Sequence, residues 1–179
     1  PPAVDVGAPV RQISIGAFGT TCALLDGGQV KCWGANNRGQ LGYGDTINRG
    51  GESPPSSIAP VEVGGTVDRV SVGAFHVCAL LVGGEVRCWG DNPYGELGQG
   101  HTQSIGDDET PVAAPLVSLA AAAVDVQAGD RMTCALLVTG AVQCWGNNNV
   151  GQLGQGHTDN IGDDESVTGL VELGEKRSE

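Results

Sequence analysis

Three short runs along the chain alternate apolar and polar residues: Ile13-Ser14-Ile15, Val70-Ser71-Val72 and Val124-Asp125-Val126. A period of two is the mark of a strand with one buried face. Each run leads into a stretch that reads as a hairpin, in the first case Thr21–Leu25 and Gln29–Trp33. A loop rich in Gly and Asn follows (Gly34–Gly44), then a long polar loop. A last apolar segment closes the unit at Pro60–Val63, Pro115–Leu119 or Leu170–Leu173. The pattern predicts four short strands per unit.

The units are copies of one another. Cys22-Ala23-Leu24-Leu25, Cys78-Ala79-Leu80-Leu81 and Cys134-Ala135-Leu136-Leu137 recur 56 residues apart, and so do Cys32-Trp33-Gly34, Cys88-Trp89-Gly90 and Cys144-Trp145-Gly146. Leu41-Gly42, Leu97-Gly98 and Leu153-Gly154 keep the same spacing. A period of this size lies near the upper end for a propeller blade. One such small sheet cannot bury both of its faces, so neighbouring sheets must stack. The expected fold is all-β: a partial β-propeller of three four-stranded antiparallel blades. It forms a single array over residues 1–179, with units near 10–66, 67–122 and 123–179.

The hairpin register follows from the cysteine positions. Cys22 and Cys32 are symmetric about Gly27, so they face each other only across an odd-numbered loop. A three-residue loop fits, and its third position favours a left-handed residue forming a bulge. Glycine stands there in all copies, at Gly28, Gly84 and Gly140. This register puts Cys22, Leu24, Val30 and Cys32 on one face, whereas a two-residue loop would set Leu24 against Lys31. Directly opposed strand residues are close enough for a disulfide. The expected bridges are Cys22–Cys32, Cys78–Cys88 and Cys134–Cys144. The competing readings are six buried free thiols, which pack well as small hydrophobes, and a zinc site, for which no second ligand pair lies beside each hairpin. Disulfides imply an oxidising compartment, so the expected location is secreted, periplasmic or at the cell surface.

Composition narrows the function. The chain has 30 glycines, 4% aromatic and 17% charged residues, a profile suited to turn-rich β structure. Nine Lys and Arg against 21 Asp and Glu give a formal net charge of −12, which repels phosphate backbones and anionic membranes. No apolar run approaches the roughly 20 residues of a membrane span; the longest, Val117–Val126, is interrupted by Ser118 and Asp125. The chain opens at Pro1-Pro2 without a signal peptide, which reads as a mature or excised segment of a longer precursor.

The units "FHVCALLVGGEVRCWGDNPYGELGQG" and "MTCALLVTGAVQCWGNNNVGQLGQG" resemble repeats of the regulator of chromosome condensation family. Nearly the whole chain shares the likeness. The resemblance implies four-stranded blades, usually seven in a closed ring. The added cysteine pairs and long acidic loops resemble bacterial extracellular members. The position of the family's histidine holds Thr20, His76 and Met132 here, which points to packing rather than chemistry. A seven-bladed ring at this period needs more than twice the chain, and three blades leave an apolar face at each end. A longer chain, another chain or a second copy would cover those faces; two copies could close a six-bladed ring, or stacking could propagate. Activities implied by the resemblance include nucleotide exchange on a small nuclear GTPase, which the acidity and disulfides disfavour, and inhibition of a β-lactamase, for which no target is identified.

Candidate chemistry is thin. The loops of the second and third units are near-duplicates, from His101 to Glu109 and from His157 to Glu165. Asp107, Asp108 and Glu109, with Asp163, Asp164 and Glu165, offer the oxygens a calcium ion needs, but their spacing matches no known calcium loop. The plainer reading is a solvated loop anchored by Ile105 or Ile161. Unit one departs, with Asp45, Arg49 and Glu52 around neutral Gly50 and Gly51. No nucleophile sits in a recognisable elbow, the histidines lack zinc spacing, and the glycine loops do not join a strand to a helix. Trp33, Trp89 and Trp145 hold one fixed place per blade, which suits packing between blades. The expected function is a non-enzymatic binding or scaffold module without a cofactor. Its loops, with Tyr43, Tyr94, His101 and His157 as candidates, would face a protein partner or further copies of the chain. No nucleic-acid binding or membrane insertion is expected. The alternatives are a self-assembling subunit and a carbohydrate-binding propeller using Tyr43 and Tyr94.

Overall fold

A computed structural model describes residues 3–167 and 169–171. Among the described residues, nine strands form three antiparallel sheets in sequential order. The first comprises β1 (Val10–Ile15), β2 (Thr20–Leu25) and β3 (Val30–Gly34). The second holds β4 (Val67–Val72), β5 (His76–Leu81) and β6 (Val86–Gly90). The third holds β7 (Ala123–Ala128), β8 (Met132–Leu137) and β9 (Val142–Gly146). No helix among the described residues is long and apolar enough to cross a membrane.

Each hairpin has the register its cysteines require. Cys22 stands opposite Cys32, Cys78 opposite Cys88 and Cys134 opposite Cys144, and each pair is joined by a disulfide. Gly28, Gly84 and Gly140 all take positive φ, which only glycine adopts without strain.

The sheets are three-stranded, where four strands were expected. Pro60–Val63 and Pro115–Leu119 run as outer segments. One backbone hydrogen bond joins each to its sheet, Val61 N–H to the Val30 carbonyl (2.8 Å) and Val117 N–H to that of Val86 (2.9 Å). Pro60 and Pro115 lack the N–H a ladder needs, and Val61, Val63 and Val117 are held instead by burial of their side chains. Val171 makes the matching bond to Val142 (2.8 Å); Leu173 lies outside the described residues. A bulge interrupts the first strand of each sheet, between Val10 and Gln12, Val67 and Arg69, and Ala123 and Asp125. Val124 occupies the third bulge and is exposed, so Val126 rather than Val124 faces inward.

The core lies between sheets. One face of each blade carries its disulfide, flanked by Leu24 and Val30 or their equivalents. The opposite face carries Trp33, Trp89 or Trp145. The tryptophan face of each following blade packs on the disulfide face of the one before it. There the Trp89 indole donates to the Gln40 carbonyl (3.1 Å) and that of Trp145 to the Glu96 carbonyl (2.8 Å). Trp89 and Trp145 are fully buried; Trp33 packs partly against Val6, Ala23 and Leu25.

Candidate functional site

The topology sends two groups of loops to one end of the array: the turns between first and second strands, and the long loops leaving each third strand. The hairpin turns lie at the other end. Asn36, Asn92 and Asn148 organise the long loops. Each is buried, accepts the N–H of Leu41, Leu97 or Leu153 (2.8–2.9 Å), and donates to carbonyls further along, such as those of Asp45, His101 and His157.

The acidic loops lie against the preceding blade. Ile105 and Ile161 are buried, and Gly44 N–H binds the Gly106 carbonyl (3.2 Å) as Gly100 N–H binds that of Gly162 (3.1 Å). A side chain at Gly39 or Gly95 would collide with the backbone at Asp107 or Asp163. These loops are therefore clamps between blades as well as acidic surface. Their carboxylates cluster: Asp107, Asp108 and Glu109 have ligand atoms within 4.8 Å of one another, and Asp163, Asp164 and Glu165 repeat this. Burial, followed by the neighbouring Asp108 or Asp164, raises the pKa of Glu109 and Glu165. The Gly162 N–H donates to Glu165 Oε1 (3.2 Å) and the Asn160 amide to Asp163 Oδ2 (3.2 Å), so part of that acceptor capacity is already used by protein donors.

Tyr43 is tied into the fold. Its hydroxyl accepts from Cys32 N–H (3.2 Å) and donates to the Cys32 carbonyl (3.1 Å), and burial raises its pKa. The Arg49 guanidinium covers the ring at 4.2 Å and pairs with Asp45 at 2.7 Å, which lowers the Asp45 pKa. His101 Nδ1 and His157 Nδ1 each accept an N–H two residues on, from Gln103 and Asp159 (3.2 Å), and so shape their own loops.

Tyr94 belongs to a larger feature. The Phe18 and Phe75 rings stack at 4.4 Å, inclined by 16°. The Arg131 guanidinium lies 5.5 Å from the Phe75 ring and 5.1 Å from that of Tyr94. Phe18, Phe75 and Arg131 come from the turns before β2, β5 and β8, so the ladder crosses all three blades at the loop-bearing end. The sequence reading named Tyr94 alone. Phe75 and Arg131 share one repeat position, three residues before Cys-Ala-Leu-Leu, and Phe18 stands one residue earlier in its unit; that near-common place was the available signal.

A second cluster is buried at the seam of blades 2 and 3. The Thr133 hydroxyl donates to the Glu96 carbonyl (2.9 Å) and lies 2.9 Å from His76 Nε2. The hydroxyl proton being used, His76 must donate from Nε2 as a neutral ring. Burial lowers the His76 pKa to about 4 and raises that of Glu96 to about 7. Neither side chain reaches solvent, so the pair belongs to the seam.

The chain is similar to known proteins along most of its length. The Regulator of chromosome condensation (RCC1) repeat model matches residues 10–40, 67–96 and 123–152, and a second model of that repeat matches 27–80 and 83–136. The Ultraviolet-B receptor UVR8 of Arabidopsis thaliana is 35% identical over 87% of this chain, which spans 34% of that protein. The E3 ubiquitin-protein ligase HERC2 of Homo sapiens is 33% identical over 76% of this chain and 3% of its own length. Among solved structures, human WBSCR16 superposes with a TM-score of 0.70 at 21% identity, covering 89% of this chain and 39% of that one. Yeast RCC1 (Prp20) bound to Kap60 gives 0.68 at 17% identity, with 89% and 37% covered. The chain thus spans about a third of most of these relatives, and it belongs to the regulator of chromosome condensation (RCC1) repeat family.

Proposed function

We propose that this chain is a non-enzymatic, extracytoplasmic protein-binding module whose loop-bearing end engages a partner protein. The ladder of Phe18, Phe75, Arg131 and Tyr94 carries this reading. Aromatic and Arg side chains dominate binding hot spots, and Phe18 holds its ring in solvent at this end. The ladder position varies between blades while the framework around it repeats. Yeast Prp20p has been studied for binding to Gsp1p and histones, and yeast RCC1 was solved bound to Kap60; such partners support a protein-binding role for a chain on this fold. The net charge of −12 weighs against nucleic acid, and three disulfides support an oxidising compartment. A carbohydrate-binding reading has less support, since Arg49 covers the Tyr43 ring and Arg131 lies over that of Tyr94.

The test is affinity capture from a secreted or cell-surface fraction. Wild-type protein is expected to retain a defined partner, and Phe18→Ala with Arg131→Ala to weaken that binding at least tenfold, about 1.4 kcal/mol. Substitutions at the opposite end, Glu85→Ala and Thr139→Ala, should leave it unchanged. Loss only with the latter pair would place the surface at the hairpin turns and overturn the proposal.

A further inference from the structure

A buried acid and the cation of the aromatic ladder occur together at one seam. Gln40 of blade 1 is buried where blade 2 packs on it, and the ladder residue that blade 2 contributes is the neutral Phe75. At the next seam the matching position of blade 2 is Glu96, 2% exposed, and the ladder residue from blade 3 is Arg131. From one unit to the next, amide and ring are thus exchanged for acid and cation as a pair. Arg131 forms no ion pair among the described residues. Its guanidinium rests on the rings of Phe75 (5.5 Å) and Tyr94 (5.1 Å).

Glu96 Oε2 accepts the Tyr94 N–H (2.8 Å), so the carboxyl is bonded directly to a residue that carries one of those rings. The charged groups facing it are Asp91 of its own loop and Arg131 of blade 3. Asp91 pairs with Arg38 of blade 1 (3.9 Å). From β5 and β8, His76 reaches Thr133, whose hydroxyl donates to the Glu96 carbonyl (2.9 Å), and burial keeps that ring neutral above about 4. Asp163 meets Gly95 through its backbone and turns its carboxylate to the Asn160 amide (3.2 Å). Among the described residues, Arg131 is therefore the unpaired cation that faces Glu96.

We propose that the Glu96 carboxyl is a pH-operated switch on the ladder: protonated, it leaves Arg131 on the rings of Phe75 and Tyr94, and ionised, it draws the guanidinium off them to itself. A buried carboxylate without a partner is costly, and a guanidinium brought to it offsets that cost. Two ring faces more than 5 Å away hold the cation less strongly than a charged acid in a desolvated seam. Asn147 N–H binds the Arg131 carbonyl (2.8 Å), so the backbone stays fixed and the side chain alone swings. Burial, with Asp91 adding to it, places the change at about pH 7. Below that the ladder is complete, and above it the rings lose their cation. The consequence for binding rests on the reading of the ladder as the partner surface. Wild type should hold its partner several-fold more tightly at about pH 6 than at about pH 8, and Glu96→Gln equally at both.

NMR of the 179-residue chain alone, from about pH 5.5 to about pH 8.5, tests the switch without any partner. Carboxyl-labelled Glu reads the ionisation of Glu96. Ring-labelled Phe reads Arg131, because the chain has two Phe and the guanidinium lies over Phe75. In wild type the Phe75 signals are expected to shift with the same midpoint as Glu96, about 7. Glu96→Gln copies the residue of blades 1 and 3, so it should fold normally and hold Phe75 at its low-pH position throughout. Arg131→Leu should also leave Phe75 still, while Glu96 titrates at a higher pH for want of its cation. The switch is overturned if Glu96 does not titrate in this range, if Phe75 stays still while Glu96 titrates in wild type, or if the Phe75 shift survives in Glu96→Gln. A working switch with pH-independent partner binding would uphold the proposal and overturn the ladder as the binding surface.

Discussion

Glu96 is a carboxylic acid where blades 1 and 3 place an amide. Gln40 and Gln152 accept a backbone N–H two residues before them and also donate to a nearby Asn, Gln40 to Asn37 and Gln152 to Asn147. Glu96 accepts the Tyr94 N–H (2.8 Å) but, when ionised, has nothing to donate. Burial holds its pKa at about 7, with Asp91 adding to the rise. A carboxyl raised above its unfolded value of about 4.3 binds more protons folded than unfolded. Its stabilising contribution is therefore present at low pH and is lost as pH climbs through about 7. His76 acts in the opposite sense: held near 4, it binds fewer protons folded than unfolded, and stability is lost as pH falls from about 6.5 towards 4. Glu96→Gln should raise stability at about pH 8 by on the order of 2 kcal/mol and by little near pH 5. Urea melts of both proteins across that range check this; an equal gain at both ends would mean the carboxyl's ionisation is not the cause.

At the level of the hairpin, sequence and structure agree most closely, and the reason is local. A separation of ten between cysteines, an odd loop and a glycine at its third position leave one register, which β2 with β3 and the later pairs all adopt. Replacing Cys78 and Cys88 together by Ala should cost about 2–3 kcal/mol by loop-closure entropy, read as a lower urea midpoint with an unchanged far-UV spectrum. Gly84→Ala should also destabilise, because φ is +91° there and a Cβ meets Ala122 of the segment entering blade 3. The outer segments were less legible. Their apolar alternation is real, but Pro60 and Pro115 remove donors, and a periodic pattern cannot distinguish a ladder from a strip held by burial. The aromatic ladder was least legible, because contacts between turns of different blades depend on how blades stack and no single unit encodes them. The buried Ile105 and Ile161 were foreseen as anchors, but the grip of their loops on the preceding blade was hidden for the same reason.

Across the whole array, the three blades are alike in sequence and unlike in environment, so equivalent substitutions should have unequal effects. Gly73 and Gly129 make the sharpest comparison. Both lie at the turn after the first strand, and neither has a positive φ, so Ala is conformationally acceptable at each. At Gly73 the added methyl strikes the Gly129 carbonyl and the buried His76 ring. Neither can retreat without opening the seam where Ala74 N–H binds Gly129 O (3.0 Å). At Gly129 the nearest atom is the flexible Met132 Cγ at 3.2 Å. Gly73→Ala should therefore cost more than about 2 kcal/mol, in the range of overpacked cores. Gly129→Ala should stay within about 0.5 kcal/mol of wild type. Urea melts of the two variants beside wild type check this; equal losses at both positions would mean that the Gly129 carbonyl and the His76 ring do not set the cost at Gly73.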